Sequence, residues 1–395
     1  MKILYLSQRA PYPVRSGGQR RTEGLYRLAG RKHEVRLLCY TIGSEQRVET
    51  ERAARVLAGA TCVPLSPAEF PAKAALYLRS ELRRRPYSVE YFDREEFWNA
   101  YRAERERFRP DLVHVYQWHL AASMPEAAVP VVVDFCDWPL AYLESAARFR
   151  SRGIRALLRH EGSRVLACLA RLSPPAASIA ISEKDARFFR ELDAGFQTVA
   201  LPMPVEPASR PPTPRELLLL LFGDFAYPPN RDALEWTRRE ILPLLRESGI
   251  PFRLRIAGRD SRAAVASWPA GEDWEVLGEV ASPATAFEGV WASLVPVRYG
   301  TGISLKVVES LAAGVPVVTT FAGARGMDFG RDDGLRVGET ASQLVSELRD
   351  LVAKPEQWAE ISRAAQEAVT RHFSTEVLGR RLDDVYSMAL SRSRQ

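Results

Sequence analysis

The sequence has little of what marks several large classes of protein. Its four cysteines among 395 residues form no Cys-x-x-Cys pair, so neither a disulfide framework nor a zinc site is indicated, and buried free thiols are expected. No run of about 18 apolar residues could span a bilayer. The apolar start of the chain is too short for a signal peptide. We therefore expect a cytoplasmic protein.

The charge is uneven along the chain. Residues 1–173 hold 29 Lys and Arg against 19 Asp and Glu, whereas the remaining residues hold 26 against 30. A basic first half favours an anionic partner, such as a phosphate-bearing substrate or an anionic membrane. An arginine-rich solvated surface explains the same excess equally well. No nucleic-acid recognition motif accompanies the charge, so nucleic acid is not an expected partner.

Short apolar runs alternate with amphipathic stretches from the first residue onward. This alternation predicts an α/β protein with a parallel, doubly wound sheet. The strands predicted in the first half are Ile3–Leu6, Val35–Tyr40, Leu112–Tyr116, Val129–Phe135 and Ser178–Ile181. The helices predicted between them include Thr22–Arg31, Gln46–Ala58 and Arg94–Phe108.

A proline-rich segment, Pro202–Pro214, interrupts the alternation. Its six prolines can join neither a sheet nor a helix, so it is the expected linker between two domains, 1–201 and 215–374. After it, strands are predicted at Leu217–Phe222, Phe252–Ala257, Glu275–Leu277, Ala292–Val297 and Val315–Thr319. Residues 375–395 are expected to form a helix that packs back toward the first domain. We thus expect two Rossmann-like domains whose parallel sheets face a central cleft, where a ligand binds.

The most informative segment is Pro296–Val318. A predicted strand leads into a glycine-containing loop and then into a helix that stops at Gly314. Free amides around Ser304 and Leu305 at the start of that helix can face an anion. The loop residues before them, Gly302 and Ile303, belong to the same expected site.

Two charged residues follow in this helix. Lys306 lies in the first turn, where a cation opposes the helix dipole unless an anion such as phosphate is bound. Glu309 lies one turn later, where its carboxylate can accept hydrogen bonds from a vicinal diol such as ribose. The alternative is that Lys306 and Glu309 form a solvated pair on an ordinary helix.

This segment resembles the donor motif of glycosyltransferase family 4, the retaining enzymes of GT-B fold. Glu309–Val318 stands where that family has Glu-Ala-Met-Ala-x-Gly-x-Pro-Val-Val. Other family motifs follow in order along nearly the whole chain, at Gly17-Gly18, Asp111–Val115, Gly223 and Ile256-Ala257-Gly258. Tyr227–Asn230 and Gly302–Glu309 are similar to a subgroup associated with bacterial exopolysaccharide assembly.

The chain departs from the family at three positions. Thr301 stands where the family has a glutamate that approaches the transferred sugar. Asp224 and Asn230 stand where the family commonly has an Arg and a Lys that hold the pyrophosphate. Other cations must therefore meet the leaving group, and we expect Lys306 with Arg298; Arg231 and Arg20 are the next candidates.

In the first domain the family often has a second histidine near the reacting sugar. His119 is the nearest histidine and could take this role, although a lone histidine is more often structural. Asp134 and Asp137 end the next strand, and they could hold acceptor hydroxyls or cap a helix. Arg20 is a further candidate on this acceptor side.

The resemblance implies transfer of a hexose, with retention, from a UDP- or GDP-sugar to a glycan or lipid-linked acceptor. It implies no metal or other cofactor, and the sequence shows no Asp-x-Asp cluster. The alternatives are a GT-B sugar-nucleotide epimerase and a non-catalytic scaffold of a polysaccharide assembly complex. The expected catalytic residues are His119, Lys306 and Arg298, and the expected donor-binding residues are Gly17, Gly18, Gly223, Asn230, Arg231, Thr301, Gly302, Ile303, Ser304, Leu305 and Glu309.

A basic segment of the first domain raises the possibility of a membrane partner. Arginines recur there among apolar residues, as on a helix that lies on a membrane surface, at Arg79, Arg83, Arg84 and Arg85. This pattern predicts peripheral contact with the anionic inner face of the cell membrane.

Overall fold

In the computed structural model the chain forms two compact units, Met1–Pro204 with Leu378–Gln395, and Val205–Val377. The structure describes residues 1–12, 14, 16–43, 59–66, 70–141, 143, 151–193, 195–208, 214, 216–269, 271, 273–280 and 283–392. The predicted helix Gln46–Ala58 and residues 209–213 of the predicted linker lie outside this part of the chain. The second unit begins at Val205, within the predicted linker.

The first unit is built on a parallel sheet of seven strands in the order β3-β2-β1-β4-β5-β6-β7. These strands are β1 Lys2–Ser7, β2 Glu34–Ile42, β3 Thr61–Leu65, β4 Leu112–Tyr116, β5 Val131–Cys136, β6 Ala177–Ala180 and β7 Thr198–Ala200. Ile3 and Tyr5 pack into one core, whereas Leu4 and Leu6 pack into another. Both faces of the sheet are therefore covered, which explains why its strands read as continuous apolar runs.

The described helices of this unit cover the two faces of its sheet. They are α1 Gly17–Gly30, α2 Phe70–Arg83, α3 Tyr87–Phe92, α4 Glu95–Phe108, α5 Trp118–Ala121, α6 Arg152–Leu169 and α7 Glu183–Leu192. The last helix of the chain, α15 (Thr375–Arg392), places Leu378, Leu382 and Tyr386 in the core beside β1 and α1.

The second unit has a parallel sheet of six strands in the order β10-β9-β8-β11-β12-β13. These strands are β8 Leu218–Phe222, β9 Arg253–Ala257, β10 Trp274–Gly278, β11 Ala292–Val295, β12 Val317–Thr319 and β13 Leu335–Val337. Its α-helices are α8 Pro228–Trp236, α9 Leu242–Glu247, α10 Ser261–Ala264, α11 Pro283–Phe287, α12 Leu305–Ala312, α13 Ala341–Val352 and α14 Trp358–Phe373. A π-helical segment, Thr237–Ile241, joins α8 to α9, and the 3-10 helix Pro355–Gln357 precedes α14.

The predicted parallel α/β architecture is confirmed in both units. The sequence pattern did not predict three of the observed strands, namely β3, β7 and β13. Each is short, and β3 contains Pro64, which is tolerated because β3 lies at the edge of its sheet. Among the described helices, none has the length and apolar character needed to cross a membrane.

A buried ion pair joins α1 to β5. Arg21 Nε and Nη2 donate to the two carboxylate oxygens of Asp134 at 2.8 and 2.9 Å, and Nη1 donates to the Leu201 carbonyl at 2.8 Å. Both side chains are fully buried. Asp134 therefore has a structural role in this unit, and its role toward an acceptor hydroxyl stays a prediction.

Asp134→Asn should lower the free energy of unfolding by about 3 kcal/mol, because Arg21 would keep a buried charge without its counter-ion. Denaturant titration followed by fluorescence measures this loss. Arg102→Ala is the matched control, since it removes an exposed ion pair with Glu95 and should cost less than about 1 kcal/mol. Equal losses in the two variants would contradict a structural role for the buried pair.

Candidate functional site

The strands of the second sheet end close together at one edge, as parallel strands do. Gly223 follows β8 and Gly258 follows β9, and the Gly223 amide donates to the Ala257 carbonyl at 3.0 Å. A Cβ atom on Gly258 would lie 2.1 Å from the Gly223 carbonyl oxygen, and Gly258 has a φ of +120°. Only glycine fits at this position, because any side chain would force the two loops apart.

The loop after Gly223 is held by its own polar groups. Asn230 Nδ2 donates to the Asp224 carbonyl at 2.7 Å, and the Ala226 amide donates to Asp224 Oδ1 at 3.0 Å. The other carboxylate oxygen of Asp224 forms an ion pair with Arg259, which follows β9. Asn230, expected to bind the donor, thus supports the loop with its amide nitrogen. Its buried Oδ1 has no partner within the described part of the chain.

Lys306 lies against this loop. Its Cδ would be 3.4 Å from a Cβ placed on Gly223, and its side-chain ammonium has no hydrogen bond or ion pair to another described residue. Burial lowers the pKa of Lys306 to about 8, although the charge of Asp224 acts in the opposite direction. Lys306 and Arg259 together carry one more positive charge than Asp224 neutralises. This edge of the sheet can therefore attract an anion.

The start of α12 adds donors to the same edge. Ser304 is the N-cap residue, yet its side chain does not cap the helix, and its buried Oγ has no partner among the described residues. The amides of Leu305 and Lys306 have no carbonyl partner within the helix, whereas those of Val307 and Val308 donate to the Ser304 carbonyl. Ser310 Oγ donates to Ser293 Oγ at 2.8 Å and so fastens α12 to β11. Glu309, one turn after Lys306, is partly buried.

The glycine loop before α12 is anchored by a residue that the sequence did not reveal. Arg325 Nη1 donates to the Gly300 carbonyl at 2.7 Å. Gly302 has a φ of +65°, which a side chain would disfavour, and Ile303 is packed in the interior. Thr301, which lies between Gly300 and Gly302 in the sequence, is partly buried.

Two arginines expected to hold the leaving group are engaged elsewhere. Arg298 makes a two-pronged ion pair with Asp232, with Nε at 2.9 Å from Oδ2, and lies over the Trp236 ring at 5.2 Å. Arg231 is exposed and its Nε donates to the Phe225 carbonyl at 3.2 Å. Arg298 and Arg259 are thus each paired with an aspartate, and they differ in position, because the partner of Arg259 is Asp224 in the loop that Lys306 contacts.

The predicted site residues of the first unit differ in their exposure to solvent. Gly17 and Gly18 are the first residues of α1, and the Ser16 side chain caps this helix. A Cβ on Gly18 would lie 3.0 Å from the Tyr116 hydroxyl, which accounts for the glycine. Asp137 and Arg20 are partly buried.

His119 is buried at the start of α5. Its Nε2 hydrogen-bonds to the Gln8 side-chain oxygen, and its ring stacks on Phe92 with centroids 4.8 Å apart. Burial lowers the pKa of His119 to about 3, so the imidazole is neutral at physiological pH. In its neutral form it can position a group by a hydrogen bond.

Both units match known families. Residues 16–194 match the "Glycosyl transferase 4-like domain", and residues 216–354 match "Glycosyl transferases group 1". The chain is a glycosyltransferase of GT-B type. No curated protein sequence matches this glycosyltransferase significantly.

Solved structures support the fold of this glycosyltransferase. Sucrose-phosphate synthase from Thermosynechococcus elongatus is 15% identical, with a TM-score of 0.65 over 99% of this chain and 100% of its own. HepE from Anabaena in complex with UDP is 15% identical, with a TM-score of 0.66 over 98% of this chain and 100% of its own. TarM from S. aureus, in complex with UDP among other ligands, is 8% identical, with a TM-score of 0.67 over 98% and 100%. The GT-B fold expected from the sequence is confirmed.

Within the described residues of this glycosyltransferase, no group of three or more His, Cys, Asp or Glu side chains could hold a metal ion. The groups gathered at the edge of the second sheet are instead cations and free amides. Such groups bind phosphate oxygens directly.

Gly258→Ala should destabilise the second unit by several kcal/mol, because the new methyl group would collide with the Gly223 carbonyl at a strained φ. Thermal unfolding measures the loss. Gly330→Ala is the control, since the nearest atom to its Cβ would be 4.0 Å away. If the two alanine variants melt alike, backbone contact between the two loops is not a constraint on this site.

Proposed function

We propose that the chain transfers a hexose from a nucleoside-diphosphate sugar, with retention, to a glycan or lipid-linked acceptor in bacterial polysaccharide assembly. The observation that carries this proposal is the unpaired Lys306 ammonium beside Gly223, at the start of α12. HepE, one of the similar structures, is described in complex with UDP, with UDP-glucose and with UDP and glucose. These ligands support UDP as the carrier of the donor sugar.

In this proposal the diphosphate binds at the N-terminus of α12. The helix amides and Lys306 bind its oxygens, and Glu309 accepts hydrogen bonds from the ribose hydroxyls. Arg259, held in place by Asp224, supplies the second cation in place of Arg298. The protein lowers the barrier mainly by neutralising the charge that develops on the departing diphosphate. No step requires a metal ion or another cofactor, and the protein acts in the cytoplasm, in part at the inner face of the membrane.

A donor panel tests the proposed reaction. Purified protein is incubated with UDP- and GDP-hexoses and with glycan and lipid-linked acceptors, and mass spectrometry identifies the products. Transfer with an unchanged anomeric configuration, determined by NMR, is the expected result. Interconversion of the free donor sugar would instead favour an epimerase. Donor binding without turnover on any acceptor would favour a non-catalytic scaffold.

Lys306→Ala should lower turnover at least about ten-fold, because it removes a partly desolvated cation from the leaving phosphate. Arg259→Ala should also lower turnover, because Arg259 is paired with Asp224 in the loop that Lys306 contacts, whereas Arg298→Ala should change it by less than about three-fold because Arg298 is held on α8 by Asp232 and the Trp236 ring. Steady-state kinetics of the three variants provide the comparison. A loss for Arg298→Ala as large as that for Lys306→Ala would restore Arg298 as the second cation.

Donor affinity should fall as the pH rises through about 8. Burial lowers the pKa of Lys306 to about 8, so the ammonium loses its proton in this range and with it the attraction to the diphosphate. Calorimetric titration of UDP from about pH 7 to about pH 9 measures the change in Kd. Lys306→Arg should flatten the profile, since arginine stays charged. An equally steep profile in that variant would assign the titration to another group.

A further inference from the structure

Helix α2 of the first unit turns an apolar stripe to the solvent. The exposed residues of this stripe follow helical spacing, at Pro71, Ala74, Ala75, Leu78 and Leu82. Leu78 is 61% exposed and Leu82 is 77% exposed, the largest exposures among the leucines of the described chain. Leu76 and Ser80, on the other side of the helix, are buried. An amphipathic helix normally packs such a stripe against its own core, so this orientation is unusual.

Contacts on the remaining sides of α2 fix this orientation. Arg79 and Arg83 reach back to the fully buried Glu90 of α3, with Arg79 Nε 2.8 Å from its Oε2. From α6, Arg164 pairs with Glu81 at 2.9 Å and lies over the Tyr77 ring at 5.6 Å. The helix is therefore held firmly along its buried side while the leucines point outward.

The surroundings of the stripe are basic. Lys73 and Arg84 are exposed and have no ion pair to another described residue. The nearby acids are already neutralised, because Glu81 is bound by Arg164 and His160 and Glu90 by three arginines. The first two turns of the adjoining helix α6 add two exposed apolar side chains and two exposed arginines, namely Ile154, Leu157, Arg152 and Arg159.

The positive charge continues past the end of α2. Arg84 lines a cavity of about 1190 Å³ together with Arg171 and Arg392, whereas Arg85, which also lines it, is paired with Glu90 and Asp93. Among the described residues that line it, Glu126 is the only acid. A surface with exposed leucines, unpaired cations and neutralised acids is complementary to a negatively charged, partly apolar surface.

We propose that this α2 surface, defined by Lys73, Leu78, Leu82 and Arg84, docks on an anionic lipid bilayer. Leu78 and Leu82 insert below the headgroups, and the cations bind lipid phosphates. The interaction needs neither donor nor acceptor, so it can hold or fail independently of the proposed transfer reaction. It would place the enzyme beside lipid-linked substrates.

Vesicle co-sedimentation of the full chain tests this proposal. We expect the protein to pellet with phosphatidylcholine vesicles that contain about 30% phosphatidylglycerol, to pellet little with pure phosphatidylcholine, and to be released by high salt. Leu78→Ser with Leu82→Ser should weaken binding about ten-fold or more, because the inserted apolar area is lost. Lys73→Glu with Arg84→Glu should abolish the preference for anionic lipid.

A matched control is Lys184→Glu with Arg187→Glu on α7, which changes the net charge equally at exposed positions of the same unit. This control should bind vesicles nearly as the parent does, and circular dichroism should show that all variants are folded. Equal binding to both vesicle types, no binding, or normal binding of the two α2 variants would overturn the proposal. A concentration-dependent dimer that the leucine variant loses would assign the surface to a second copy of the chain instead.

Discussion

The contact between Gly258 and the Gly223 carbonyl constrains the whole candidate site. Because no side chain fits between them, the ends of β8 and β9 meet through backbone alone. This contact brings Asp224 within reach of Arg259, and the side chain of Lys306 lies against Gly223. The positions of the cations at this edge therefore depend on the absence of a side chain at Gly258, which is an uncharged residue.

The charges at this edge are arranged so that one cation remains available. Asp224 neutralises Arg259, whereas Lys306 is partly buried and has no ion-pair partner among the described residues. An ammonium that is desolvated without a partner is destabilised, and an arriving diphosphate relieves that cost. Arg298 shows the opposite arrangement, since Asp232 and the Trp236 ring already stabilise it. Lys306 therefore gains more from a bound phosphate than either Arg298 or Arg259, each of which already has an aspartate as counter-ion.

The sequence predicted the parallel sheets and the sheet edge at which the candidate site lies, because buried strands and strand-end glycines leave a local pattern. It did not predict the pairing of Arg21 with Asp134, which lie 113 positions apart and meet only when α1 packs on β5. The roles of Arg259 and Arg325 at the candidate site could not be predicted either. In an arginine-rich chain, no local pattern distinguishes these two arginines from the others. Short edge strands such as β3 were missed because Pro64 and partial exposure weaken their pattern.

Helix α2 shows a further limit of sequence patterns. Apolar residues at helical spacing indicate an amphipathic helix, but they do not tell which side faces the protein. Here Leu76 and Ser80 are buried and the buried Glu90 draws Arg79 and Arg83 inward, so Leu78 and Leu82 remain outside. Leaving two leucines in water forgoes about 1.5–3 kcal/mol for each, relative to burial. The inward ion pairs on Glu90 therefore favour an orientation that the hydrophobic effect alone would oppose.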